Sequence, residues 1–197
     1  MTLNSIDTSK KALQFAVWGG LGGASGSLLA ESLHSFLLQP SSDESQIQLV
    51  VKTGIWFSII GTCIGGALLI AAERYLKKTI QIKQIVQNGI WVGCLAGFIA
   101  GAIAQFIYAD SNAYQPPEYF RIFCWGIAGG LLGLGLSFPL PNLGKIRGLT
   151  GGFIGGLLGG SLFVLIVKVS NISGILGRLV GVAAIGFCIG LAIVIIE

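Results

Sequence analysis

GLTGGFIGGLLGGSLF, residues 148–163, is the stretch that decides the fold. Its glycines fall in adjacent pairs at every fourth position: Gly151 with Gly152, Gly155 with Gly156, Gly159 with Gly160. Residues four apart share one face of an α-helix, so the spacing predicts two neighbouring stripes that carry no side chains. In water this is a poor helix, because each interior Gly costs about 1 kcal/mol relative to Ala. In a bilayer the backbone must close its own hydrogen bonds, and a single segment does that as a helix. The bare stripes then let a second helix approach to backbone contact.

The rest of the chain has the composition that such a segment requires. Of 197 residues 53% are hydrophobic and 10% charged, and the mean hydropathy is +0.83. Soluble domains carry roughly 25% charged residues, so a soluble enzyme or binding domain is excluded on composition. Glycine takes 31 positions without a G-X-Y period, and proline only 5, which excludes collagen and disordered low complexity. The net charge of +4 comes from lysines and arginines spread between apolar segments. That distribution fits membrane topology, and no nucleic-acid partner is expected.

Working outward, the expected organisation is a polar tail at 1–11 followed by one transmembrane domain at 12–197. Six apolar spans are expected near 12–38, 52–75, 89–108, 121–138, 149–167 and 179–196. Each is close to the ~20 residues that cross a hydrocarbon core. Pro116 and Pro117, then Pro139 and Pro141, punctuate two of the connections. The run after Lys10 and Lys11 continues beyond the small residues Ala24-Ser25-Gly26, so an uncleaved first span is expected rather than a signal peptide.

With the N-terminus inside, the inner segments hold Lys10, Lys11, Arg74, Lys77, Lys78, Lys83, Lys145 and Arg147. The outer ones hold Lys52, Arg121, Lys168 and Arg178, so the basic bias places both termini inside. Trp18 and Trp91 then fall at inner span ends, and Trp56 and Trp125 at outer ones, as an interfacial aromatic belt.

The spans also align with one another. Matching Trp18, Trp91 and Thr150 superposes Gly20, Gly93 and Gly152, then Ala24, Gly97 and Gly156, then Leu28, Gly101 and Gly160. In the even spans Lys52, Arg121 and Arg178 each stand four residues before Trp56, Trp125 and Val182. The expected fold is therefore all-α: six transmembrane helices as three glycine-striped hairpins (12–75, 89–138 and 149–196), with an internal threefold repeat. The helix-packing residues would be Gly20, Gly93, Gly97, Gly101, Gly152, Gly156 and Gly160.

Polar residues at membrane depth are the candidate site, since burying them there is costly. Glu31 lies inside the first span, His34 one turn further on, and Gln105 at a similar depth in the third. Arg74, Lys77, Lys78 and Lys83 are candidate contacts for lipid headgroups. Arg121 and Arg178 read as anchors that snorkel to the interface. Ser58, Thr62 and Ser161 are expected to bond backbone or neighbouring helices. Cys63, Cys94, Cys124 and Cys188 sit in four different spans, and His34 is the sole histidine, so no metal set or cofactor is expected. With no HExxH and no paired acids, enzyme chemistry is not expected.

The last third, GLTGGFIGGLLGGSLFVLI followed by GRLVGVAAIGFCIGLAIVIIE, resembles a glycine-rich multi-span region of bacterial proteins. In those proteins it often accompanies forkhead-associated or von Willebrand-type domains. The resemblance implies a bacterial inner membrane or an equivalent energy-transducing membrane, and it implies no established activity. The functional expectation is a small homo-oligomeric channel packed through glycine stripes. The alternative is a non-conducting scaffold or accessory subunit, with the bilayer, sister copies or other membrane subunits as partners. For the topology, a cysteine at Ser111 should react with a membrane-impermeant maleimide added outside intact cells. Labelling only after permeabilisation would invert the assignment.

Overall fold

The computed structural model describes residues 3–37, 45–75, 89–110, 118–138, 143–170 and 174–196. Among the described residues there are six helices and no strand: α1 (Leu3–Leu37), α2 (Gln46–Tyr75), α3 (Trp91–Asp110), α4 (Glu118–Leu136), α5 (Lys145–Ser170) and α6 (Ile175–Ile196). Four of them, α2, α4, α5 and α6, are long and apolar enough to cross a membrane. In α3 the apolar helix, Trp91–Ile107, is shorter. The described elements are thus all helical, and the protein is membrane-embedded.

Local chemistry explains several boundaries. Ser45 and Gln48 form a reciprocal cap at the start of α2: the Gln48 backbone N–H donates to Ser45 Oγ at 3.4 Å, and the Ser45 N–H to Gln48 Oε1 at 2.9 Å. Gly144 and Gly174 precede α5 and α6 with φ of 65° and 79°, a left-handed conformation that glycine enters without a Cβ clash. Their carbonyls accept the first helical hydrogen bonds, from Gly148 and Arg178. At its other end α1 begins at Leu3, so most of the segment expected as a polar tail is helical. No Gly or Pro interrupts residues 3–11, and extending an existing helix costs far less than starting one.

The helices form a closed ring. Each packs against its neighbours in sequence, and α6 returns to pack extensively on α1. Adjacent helices run antiparallel, so α2, α4 and α6 all begin at one end, called upper below. These three also touch across the middle, α2 with α4 and α4 with α6. Their apolar faces form one core with Ile60, Ile64 and Leu68 from α2, Leu132 and Leu136 from α4, and Val182, Ile185, Ile189 and Ile193 from α6. Trp125 belongs to that core and is only 6% exposed. The lipid-facing place expected of Trp125 is therefore corrected: it sits near a helix start, on the face that looks inward.

Glycine sets how close the ring can draw. At three seams two glycines face each other, and a Cβ on either would strike the other's carbonyl oxygen: Gly61 and Gly93 (α2·α3), Gly129 and Gly152 (α4·α5), Gly186 and Gly19 (α6·α1). The contacts continue at helical spacing. A Cβ on Gly97 would strike the Phe57 carbonyl, one on Gly101 would lie 2.7 Å from the Thr53 carbonyl oxygen, one on Gly156 would strike the Trp125 carbonyl, and one on Gly23 the Val182 carbonyl. A Cβ on Gly160 would lie 3.1 Å from the Trp125 Cβ. On α1 the seam residue is Gly19. Gly20, one position on, would bring a Cβ no nearer than 3.5 Å to Ala183 or Phe187.

The second row of α5 packs the other way, onto α6. A Cβ on Gly151 would lie 3.0 Å from the Ile193 Cα, one on Gly155 2.6 Å from Cys188 O and Ile189 Cα, and one on Gly159 against the Ile185 Cα. Both rows of residues 148–163 are therefore used inside one chain. Gly61→Ala should lower the thermal midpoint of the detergent-extracted protein by several degrees. Gly66→Ala, where a Cβ would meet nothing within 4 Å, should leave it unchanged or higher. Equal midpoints for the two variants would remove the close-approach account.

Candidate functional site

The chemistry gathers at the upper end, where the seam between α1 and α6 changes from small residues to charge. Along α1 the seam runs Gly19, Gly23, Ser27 and Glu31, each four residues on; along α6 it runs Gly190, Gly186, Val182 and Arg178. Close approach below brings the two polar residues together above. Arg178 Nε lies 2.7 Å from Glu31 Oε1, and Arg178 Nη2 donates to Glu31 Oε2 at 2.8 Å. Both carboxylate oxygens are engaged by one planar guanidinium, a side-on geometry that only arginine offers. Glu31 is 6% exposed, whereas the Arg178 side chain is 46% exposed. The acid is enclosed and the base faces open space. Ser27, one turn below, is fully buried, and its hydroxyl has no hydrogen-bond partner among the described residues.

That open space is a cavity of about 430 Å³ at the upper end of the ring axis. Arg178, Arg121, Gln105 and Thr53 supply its polar lining. Thr53 Oγ donates to Gln105 Oε1 at 3.1 Å, tying α2 to α3. Beneath lie the rings of Trp56, Phe57, Trp125 and Phe163. Phe57 and Trp125 have centroids 4.8 Å apart, and Trp125 and Phe163 6.4 Å. Arg121 and Arg178 occupy the same place in their helices, the fourth residue of α4 and of α6. Arg121 is exposed, and at the same end Lys168 and Glu118 pair at 2.7 Å on the surface. Such an exposed pair contributes little to stability.

Of the expected polar group, Glu31 and Gln105 are both at this end, joined through the lining that Arg178 and Gln105 share. Position 34 lies in α1, and the His34 side chain is outside the described residues. Arg178 is not a lone snorkelling anchor, because it holds Glu31; that pairing is the feature missed in the sequence. Its signal was the matching depth of a buried acid and a helix-start arginine. Among the basic candidates Arg74 is described and lies 4.6 Å from the centroid of the Trp18 ring, a cation–π contact at the lower end. Lys77, Lys78 and Lys83 lie outside the described residues.

Ser58 donates to the Cys94 carbonyl at 2.9 Å, Thr62 to the Ile90 carbonyl at 3.5 Å, and Ser161 to Leu157 of its own helix at 2.8 Å. The four cysteines are free thiols. No group of three metal-ligating side chains is found among the described residues.

No family model, curated protein or solved structure matches the chain, so the functional reading rests on these side chains. Glu31→Gln should destabilise the protein by about 1–3 kcal/mol, since it breaks a charge-assisted pair while leaving a half-exposed arginine. Adding Arg178→Gln to Glu31→Gln should restore part of that loss. Strictly additive thermal midpoints would show that the two side chains are not coupled.

Proposed function

We propose that the protein is a six-span integral membrane subunit that does not conduct by itself, its helices sealed into one ring within one chain. Four helices have spanning length and apolarity. α1 and α3 run antiparallel between them in the same ring, so a bilayer around the four surrounds all six. The observation that carries the non-conducting reading is the filled axis. Ile60, Ile64, Leu68, Leu136, Ile185, Ile189 and Ile193 are large side chains with essentially no exposure. A dry column of this kind gives a hydrated ion nothing to replace its water.

The glycine rows support the same reading. On α5 one row meets α4 and the other α6, so neither is left to pack a second copy. The outward faces carry Leu21, Leu28, Leu95, Leu158 and Leu165, all exposed, which suits acyl chains or the helices of a larger membrane complex. The repeat is part of this proposal, supported by the three facing-glycine seams and by the shared positions of Arg121 and Arg178.

A second reading, a channel with its pore inside one chain, is favoured by the position of the upper cavity on the ring axis. In that reading the cavity is a vestibule and the aliphatic column is a closed gate. Flux from liposomes separates the two. The wild type should release potassium and chloride no faster than empty liposomes, and so should Ile64→Ala/Leu132→Ala/Ile189→Ala. Release by the wild type, or a large rise in the triple variant, would replace the non-conducting reading with the channel.

A further inference from the structure

We propose that the upper cavity is a binding site for an organic anion: a phosphate or carboxylate group joined to an apolar body. The charge around it selects the sign. At the upper end of the ring, Lys52, Arg121, Lys168 and Arg178 stand against Glu31 and Glu118 among the described side chains. Neither acid lines the cavity, and both oxygens of Glu31 are held by Arg178. A cation would therefore meet two guanidinium groups and no carboxylate. Arg121 has no ion-pair partner among the described residues, and its planar fork suits a phosphate or carboxylate.

The walls select the rest of the ligand. Below the arginines, Trp56, Phe57, Trp125 and Phe163 present apolar faces, and Cys124 adds another apolar group. Inorganic phosphate alone would leave those rings against water. A neutral alcohol would leave Arg121 without an anion. A volume of about 430 Å³ lies in the range of small-molecule pockets, which are mostly apolar with a few placed polar groups. The Thr53 hydroxyl hydrogen is given to Gln105 Oε1, so the Gln105 side-chain NH2 keeps the donor capacity at the rim for further oxygens of the head group. Glu31 orients Arg178 and lowers the charge presented, so Arg121 is the principal anion contact.

Hexyl phosphate is a suitable probe, titrated into the full-length protein in neutral phosphatidylcholine nanodiscs with tryptophan fluorescence as the readout. Trp56 and Trp125 line the site, while Trp18 and Trp91 lie at the opposite end. The expected result is a saturable change that neither hexanol nor inorganic phosphate reproduces at the same concentrations. Arg121→Gln should weaken binding by about tenfold, the effect of losing one charge-assisted contact. Arg121→Lys, which keeps the charge, should stay closer to the wild type. Nanodiscs containing phosphatidylglycerol identify the source of the anion. A weaker apparent affinity for hexyl phosphate there marks a lipid head group as the occupant, and an unchanged one marks a soluble organic anion. No saturable change, hexanol matching hexyl phosphate, or Arg121→Gln binding as the wild type does would overturn the site. None of these results depends on whether the protein conducts.

Discussion

The ring depends on the approach of helix backbones that glycine permits. Helices with ordinary side chains at the contact pack with axes 8–10 Å apart. Here a Cβ at any of the three facing-glycine contacts would collide with a carbonyl across the seam. Among lipid tails no hydrophobic force drives apolar helices together, so dispersion at short range carries more of the association. Six helices can close into a ring around a solid core because the odd helices offer narrow edges to the even ones. The even helices keep their bulk, and Ile, Leu and Trp fill the middle.

That division of labour also places the polar site. A seam of small residues must end somewhere, and between α1 and α6 it ends at Glu31 and Arg178. The closeness that buries Gly23 against Val182 encloses the carboxylate two turns further up. An isolated carboxylate at this burial would be costly, and the guanidinium meets that cost by bonding both oxygens. The arginine in turn reaches open space, because it stands in the first turn of α6, four residues after Gly174. Packing, charge pairing and the cavity at the ring's end are thus successive consequences of the same small side chains.

Much of this was legible in the residues. Hydropathy and the Gly-Gly periodicity are strong local signals, and they identified helices where helices are found. Glycine pairs also hide register: Gly19 and Gly20 are equivalent in any pattern, and only the facing helix shows that Gly19 meets Gly186. Trp125 could not be told from an interfacial tryptophan, since both stand near helix ends and differ only in the direction they face. Arg178 resembled an anchor for the same reason. Its partner is in the first helix, and ring closure between first and last helices has no local signature. Position in the chain puts Glu31 inside the first apolar span, but it does not tell what stands beside it.

The separation of Glu31 from Arg178, 147 residues, has a consequence for biogenesis. At about 5–20 residues per second, roughly 7–30 s pass between synthesis of the acid and of its partner. During that interval α1 has no α6 to lie against, so its glycine edge toward α6 is bare and Glu31 lacks the Arg178 guanidinium. Meanwhile the seams between α2 and α3 and between α4 and α5 join consecutive helices and can form as soon as each pair is inserted. Of the six described helices α1 thus has the longest wait for its seam, and α6 closes the circle and brings Arg178 to a carboxylate made 147 residues earlier.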